Sequence, residues 1–207
     1  MNIPLRYQIS DYDCGPTTML NAISYLFPRE VIPPEVIRNI MLYSLDCYGQ
    51  DGCSGKRGTS CAAMMFLSNW LNGFGEIGQL DVTSRYLSGQ SVRLGSSSLL
   101  EDALRRGGAV VARIFLDEWH YVLLTGVKDD MVLVFDPYYL EEPMPGDPDI
   151  QFVDDQPCRY NRLVPARCFD QEALTLYAFG PVETREAVLL FNETTKLTEE
   201  DTVEYMI

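Results

Sequence analysis

The hydrophobic period changes once along these 207 residues, at Gly107-Gly108, and that single change limits what the chain can fold into. Before it, apolar positions recur at three and four. Met19, Leu20, Ile23, Leu26 and Phe27 predict a helix that opens at Asp13-Cys14-Gly15-Pro16 and stops at Pro28. A second helix starts at Pro33-Pro34 and carries Val36, Ile37, Ile40 and Met41, and a third follows Thr59-Ser60 with Ala63, Phe66, Leu67, Trp70 and Leu71 on one face. Ser97 or Ser98 caps a fourth, through Leu100, Ala103 and Leu104, which the glycine pair ends. After Gly108 come short runs of valine, leucine, isoleucine and aromatics at 109–116, 119–127 and 131–135, with further strand candidates at 174–179 and 187–191. Helices first and strands later give an α+β domain in which a helical part (about 14–107) packs on a C-terminal antiparallel sheet (about 108–192). We read 1–207 as one domain with a short tail, 193–207, in which Thr198-Glu199-Glu200-Asp201 has the form of a capping box.

Composition narrows the partners. A net charge of -14 repels nucleic acid phosphates and anionic lipid headgroups, so no nucleic acid partner is expected. No stretch has the roughly 18 apolar residues of a membrane span, and Met1 to Tyr7 lacks the basic-then-apolar pattern of a secretory signal, so the chain reads as a cytoplasmic protein. Cys14, Cys47, Cys53, Cys61, Cys158 and Cys168 are then expected as free thiols. No metal and no cofactor is expected: there is no C-x-x-C pair, the sole histidine is remote from Cys47, Cys53 and Cys61, and Gly55-Lys56 lacks the remainder of a phosphate loop.

Two segments read as loops. The four glycines in 47–58 break any periodicity, and 141–155 carries three prolines and six acids with no basic residue. The second is either a solubilising excursion or an acidic border of a cleft for basic substrates.

Three residues carry a coherent chemistry. Cys14 sits at a helix opening, where unpaired backbone N–H groups favour thiolate. Pro16 suits the first turn, Asp13 is expected to cap the helix, and Gly15 is expected to let a substrate approach the backbone. His120, the only histidine, opens the 119–127 strand. If Lys128-Asp129-Asp130 is the turn of a hairpin, facing residues have numbers summing to about 258, which brings His120 against positions near Asp136. A carboxylate there can fix the tautomer of the imidazole.

The segments Gln8-Ile9-Ser10-Asp11-Tyr12-Asp13-Cys14-Gly15-Pro16-Thr17, His120-Tyr121-Val122-Leu123 and Val134-Phe135-Asp136-Pro137 resemble, in order and approximate spacing, the papain-like cysteine peptidases that remove double-glycine leaders from bacteriocin precursors. The resemblance implies a papain-like fold and a peptidase acting on a peptide or protein substrate. It also implies that Gln8 donates its side-chain amide to the oxyanion beside the Cys14 N–H, as a tetrahedral intermediate requires. Two alternatives stay open from the sequence: an acyltransferase working through the same acyl-thioester, and a catalytically silent peptide-binding module. The oligomeric state is not legible.

Overall fold

The computed structural model describes residues 3–48, 52–53, 57–141 and 147–195. Among them are four α-helices, α1 (Cys14–Leu26), α2 (Pro34–Ser44), α3 (Cys61–Glu76) and α4 (Leu99–Arg105). Seven strands are β1 (Thr83–Ser88), β2 (Ala109–Leu116), β3 (Glu118–Lys128), β4 (Met131–Phe135), β5 (Gln151–Phe152), β6 (Arg162–Pro165) and β7 (Glu186–Phe191). The strands form one antiparallel sheet in the order β1-β7-β2-β3-β4-β6-β5. The α+β class expected from the sequence is the class observed.

Both faces of the sheet are covered. Val111, Tyr121, Leu123, Phe135, Val188 and Leu190 pack against the apolar stripes of α1, α2 and α3. Their alternates Val110, Ala112, Ile114, Val122, Leu124 and Leu189 pack against α4, Phe169 and Phe179. That double burial is why β2, β3 and β7 read as continuous apolar runs instead of alternating ones. The helices are divided between the two faces: Leu100, Ala103 and Leu104 of α4 belong to the core opposite α1, α2 and α3.

Capping follows the local chemistry. Ser60 Oγ accepts the Ala63 N–H at the start of α3, and Ser98, not Ser97, accepts the Glu101 N–H at the start of α4. Three strands were not legible. β1 is an edge strand with one buried residue, and β5 and β6 are too short for a period to register. Conversely, residues 174–179 are not a strand. Tyr177 there adopts φ 64, a left-handed conformation that turns the chain.

Candidate active site

The β3–β4 hairpin turns at Asp129 and Asp130, pairing Lys128 with Met131. A bulge between Leu124 and Gly126 then shifts the register by one, so that Leu124 faces Val134 and Leu123 faces Phe135. His120 and Asp136 lie at the same open end of this pair, beyond the last ladder positions. His120 Nε2 is 2.9 Å from Asp136 Oδ1. Cys14 is the other neighbour of the imidazole, close enough for its charge to act on His120. With Nε2 on Asp136, Nδ1 is the nitrogen left for the sulfur. The sequence-derived trio is therefore contiguous, and all three side chains are buried, with His120 at 6% exposure and Asp136 at 0%.

Burial alone would lower the imidazole pKa. The charge and hydrogen bond of Asp136, with the hydrogen bond and charge of Cys14, outweigh it and push His120 up to about 10. Burial likewise works against the Asp136 charge, but His120, the Tyr138 N–H and the nearby Arg162 guanidinium hold its carboxyl below the usual range. The two shifts favour the same state, imidazolium beside carboxylate.

Two buried polar residues of α1 tie the helix to neighbouring segments. Thr18 Oγ1 donates to the Tyr121 carbonyl at 3.0 Å, tying the N-terminal half of the helix to the residue after His120. Asn21 accepts the Arg6 N–H and donates to the Arg6 carbonyl, each at 2.8 Å, which lays the 5–8 segment along the helix. Both interrupt an otherwise apolar face, and a buried polar group persists only where it is hydrogen-bonded. Gly15 has a different reason from the one the sequence suggested. A Cβ there would lie 2.1 Å from Thr59 Oγ1 and 2.7 Å from Thr59 Cβ, so the glycine serves close packing of Thr59 on the helix opening.

Asp13 is at the N-cap position, yet its side chain takes no hydrogen bond from the helix backbone. Its carboxylate turns back to the preceding loop, accepting the Ile9 N–H at 3.0 Å and the Ser10 N–H and hydroxyl at 2.7 Å each. Burial opposes its charge, but Ser10 and these N–H groups hold its carboxyl below the ordinary range. The loop so shaped presents Gln8. The Gln8 N–H donates to the Pro137 carbonyl at 2.9 Å, joining this segment to the residue after Asp136, and Nε2 donates to Ser10 O at 2.8 Å. One amide hydrogen of Gln8 remains uncommitted, and Oε1 is buried without a partner among the described residues.

Asp136 is gripped by residues that the motif reading did not single out. Asn161 Oδ1 accepts the Asp136 N–H and Asn161 Nδ2 donates to the Asp136 carbonyl, both at 2.8 Å. The Tyr177 hydroxyl donates to Asp136 Oδ2 at 3.0 Å. Nothing in a single sequence marks these positions: they lie 25 and 41 residues from Asp136, in segments without a period.

Cys14, Cys47, Cys53, Cys61, Cys158 and Cys168 are free thiols. Among the described residues no group of three or more His, Cys, Asp or Glu could hold a metal ion, and no helix is long and apolar enough to cross a membrane. In the acidic loop, residues 142–146 lie outside the described part. Asp147 and Asp149 pair with Arg167 at the surface, at 2.6 and 2.7 Å, so these two acids are not free charges. The tail helix expected after Thr198 also lies outside the described residues.

No protein-family model matches the sequence, and no curated protein does. Several solved structures align with it, among them the following three. The peptidase domain of Streptococcus mutans ComA is 13% identical, with 91% of this chain and 98% of that one covered and a TM-score of 0.40. The peptidase domain of a Streptococcus ComA, a bi-functional ABC transporter involved in a quorum-sensing pathway, is 12% identical, with 92% and 98% covered and a TM-score of 0.44. A double-glycine motif protease from an AMS/PCAT transporter, in complex with the leader peptide, is 11% identical, with 91% and 89% covered and a TM-score of 0.43.

Proposed function

We propose that this protein is a papain-like cysteine peptidase, a single domain that hydrolyses an amide bond of a peptide or protein through Cys14, His120 and Asp136, with Gln8 as oxyanion donor. The observation that carries the reading is the buried imidazole of His120, 2.9 Å from Asp136 Oδ1 and close enough to Cys14 to feel its charge.

The Cys14 sulfur attacks the scissile carbonyl carbon, and the electron pair of the C=O moves to oxygen. The Cys14 N–H at the opening of α1 and the uncommitted amide hydrogen of Gln8 receive that oxyanion. As the C–N bond breaks, the His120 imidazolium gives its proton to the departing amine, leaving an acyl-thioester. Water, deprotonated by His120, attacks the thioester, and the carboxylic acid leaves as the sulfur is restored. Asp136 keeps the imidazole turned and stabilises its charged form. Free thiols throughout suit a reducing compartment such as the cytoplasm.

The test is the pH dependence of iodoacetamide alkylation at each cysteine, followed by mass spectrometry in the wild type and in His120→Ala. Alkylation of Cys14 well below pH 7 that is lost in His120→Ala supports the reading, and incubation with a peptide library then finds cleavage products. A Cys14 that titrates like a free thiol near about 8.5, indifferent to His120, overturns it. Ligated products in place of hydrolysed ones would move the assignment to acyl transfer.

A further inference from the structure

An aspartate that orients a histidine can itself rotate about its last side-chain torsion, so something must fix the carboxylate plane. Asp136 Oδ1 takes both the His120 Nε2 contact and the Tyr138 N–H at 2.9 Å. Oδ2 takes the Tyr177 hydroxyl at 3.0 Å. Tyr177 does not belong to the elements that bear Cys14, His120 or Asp136. It arrives from the layer on the opposite face of the sheet, after the turn at Ala166–Cys168, with its ring packed near Phe169 at a centroid distance of 6.3 Å.

The backbone at this residue is unusual. Tyr177 has φ 64, a left-handed region that bulky L side chains rarely occupy. It is held there by its N–H on the Phe115 carbonyl at 2.8 Å and by the return bond from the Phe115 N–H to the Ala178 carbonyl at 2.8 Å. Asparagine or glycine would relieve the strain, so the local fold alone does not call for a tyrosine. What only tyrosine supplies is a long, rigid side chain, 3% exposed, ending in a donor at Asp136. Backbone strain maintained beside a proposed active site points from geometry to function.

We propose that Tyr177 is a positioning residue whose hydroxyl fixes the plane of the Asp136 carboxylate, so that Oδ1 is presented to His120 and the imidazole stays turned to Cys14. The inference rests on the thiol-enzyme reading above. The groups that face Asp136 are His120 from β3, Tyr138 after β4, Arg162 from β6 and Tyr177 itself, while Cys14 faces His120 from α1. The Tyr177 hydroxyl donates to ionised Asp136, so its removal raises the pH at which Asp136 takes a proton and His120 loses its partner.

The experiment compares wild type, Tyr177→Phe and His120→Ala at a temperature where circular dichroism shows each fully folded. Two quantities are read against pH: the ring resonances of His120, unambiguous because the chain has one histidine, and the rate of Cys14 alkylation by iodoacetamide. In Tyr177→Phe the acid midpoint of both should move up by about one pH unit, a roughly tenfold slower alkylation on the acid limb. A purely structural tyrosine would lower the melting temperature and leave both midpoints in place, and that result overturns the assignment. If wild-type Cys14 ignores His120→Ala, the thiol-enzyme reading falls, and the catalytic consequence of Tyr177 falls with it. Coupling in the wild type with unmoved midpoints in Tyr177→Phe removes the Tyr177 assignment alone.

Discussion

Asn161→Ala isolates the grip on the Asp136 backbone. Asn161 is 3% exposed, and its amide closes two hydrogen bonds of 2.8 Å on the N–H and carbonyl of a residue with no exposed surface. Alanine leaves both backbone groups buried and unpaired. Each orphaned group costs about 1–3 kcal/mol, and partial relaxation or an entering water recovers some of it, so we expect a loss of about 3–4 kcal/mol. For a chain of this size that corresponds to a melting temperature lower by roughly 10 °C, with the protein still folded at 20 °C. Asn161→Asp keeps the acceptor for the Asp136 N–H, removes the donor to its carbonyl and adds a carboxylate beside a buried one, so it should disturb the site more than its stability loss explains. Calorimetry gives the first quantity and Cys14 alkylation at 20 °C, where both variants are folded, gives the second. A melting shift in Asn161→Ala below about 2 °C, with unchanged alkylation, would refute the argument that Asn161 holds Asp136 in place.

Other outcomes follow from the same geometry. The folded pKa of His120, raised to about 10, lies above its unfolded value of about 6.5. Its stabilising contribution is therefore fully present below pH 6.5 and lost as pH rises through about 10. Urea midpoints of wild type and His120→Asn should converge over that window, and a constant separation would contradict the ion pair. Gly15→Ala drives a methyl into Thr59 and should destabilise by about 1–3 kcal/mol in chemical denaturation. Adding Thr59→Gly should recover most of that loss, and failure to do so would place the clash elsewhere. Replacing both Asp147 and Asp149 by asparagine removes charges already engaged by Arg167. Cys14 alkylation should then be unchanged, whereas a marked change would revive the acidic loop as a border of the cleft.

The helices were legible because α1, α2 and α3 each bury one stripe, so the three-and-four spacing of Met19, Ile23 and Leu26 reports directly on the fold. The hairpin was legible because its turn is short: with Asp129 and Asp130 between the strands, register follows from counting, and the bulge moves the count by only one. Edge strands were not, since β1 is half solvated and carries no burial period. The 174–179 run misled for a related reason. Its apolar residues face a core, but the left-handed turn at Tyr177 prevents strand geometry, and composition does not encode φ.

The sequence by itself determined the chemistry available: one histidine, a cysteine at a helix opening, an aspartate at the matching depth of the next strand, and a glutamine six residues ahead of the cysteine. Local physics suffices for these, because helix starts and hairpin registers are set by neighbours in the chain. Only the tertiary structure decided what holds them. Thr18 on the Tyr121 carbonyl, Asn161 on the Asp136 backbone and Tyr177 on its carboxylate span 103, 25 and 41 residues. Such contacts exist because the folded chain buries polar groups that must then find partners, and the choice of partner is made by packing across layers that sequence spacing does not record.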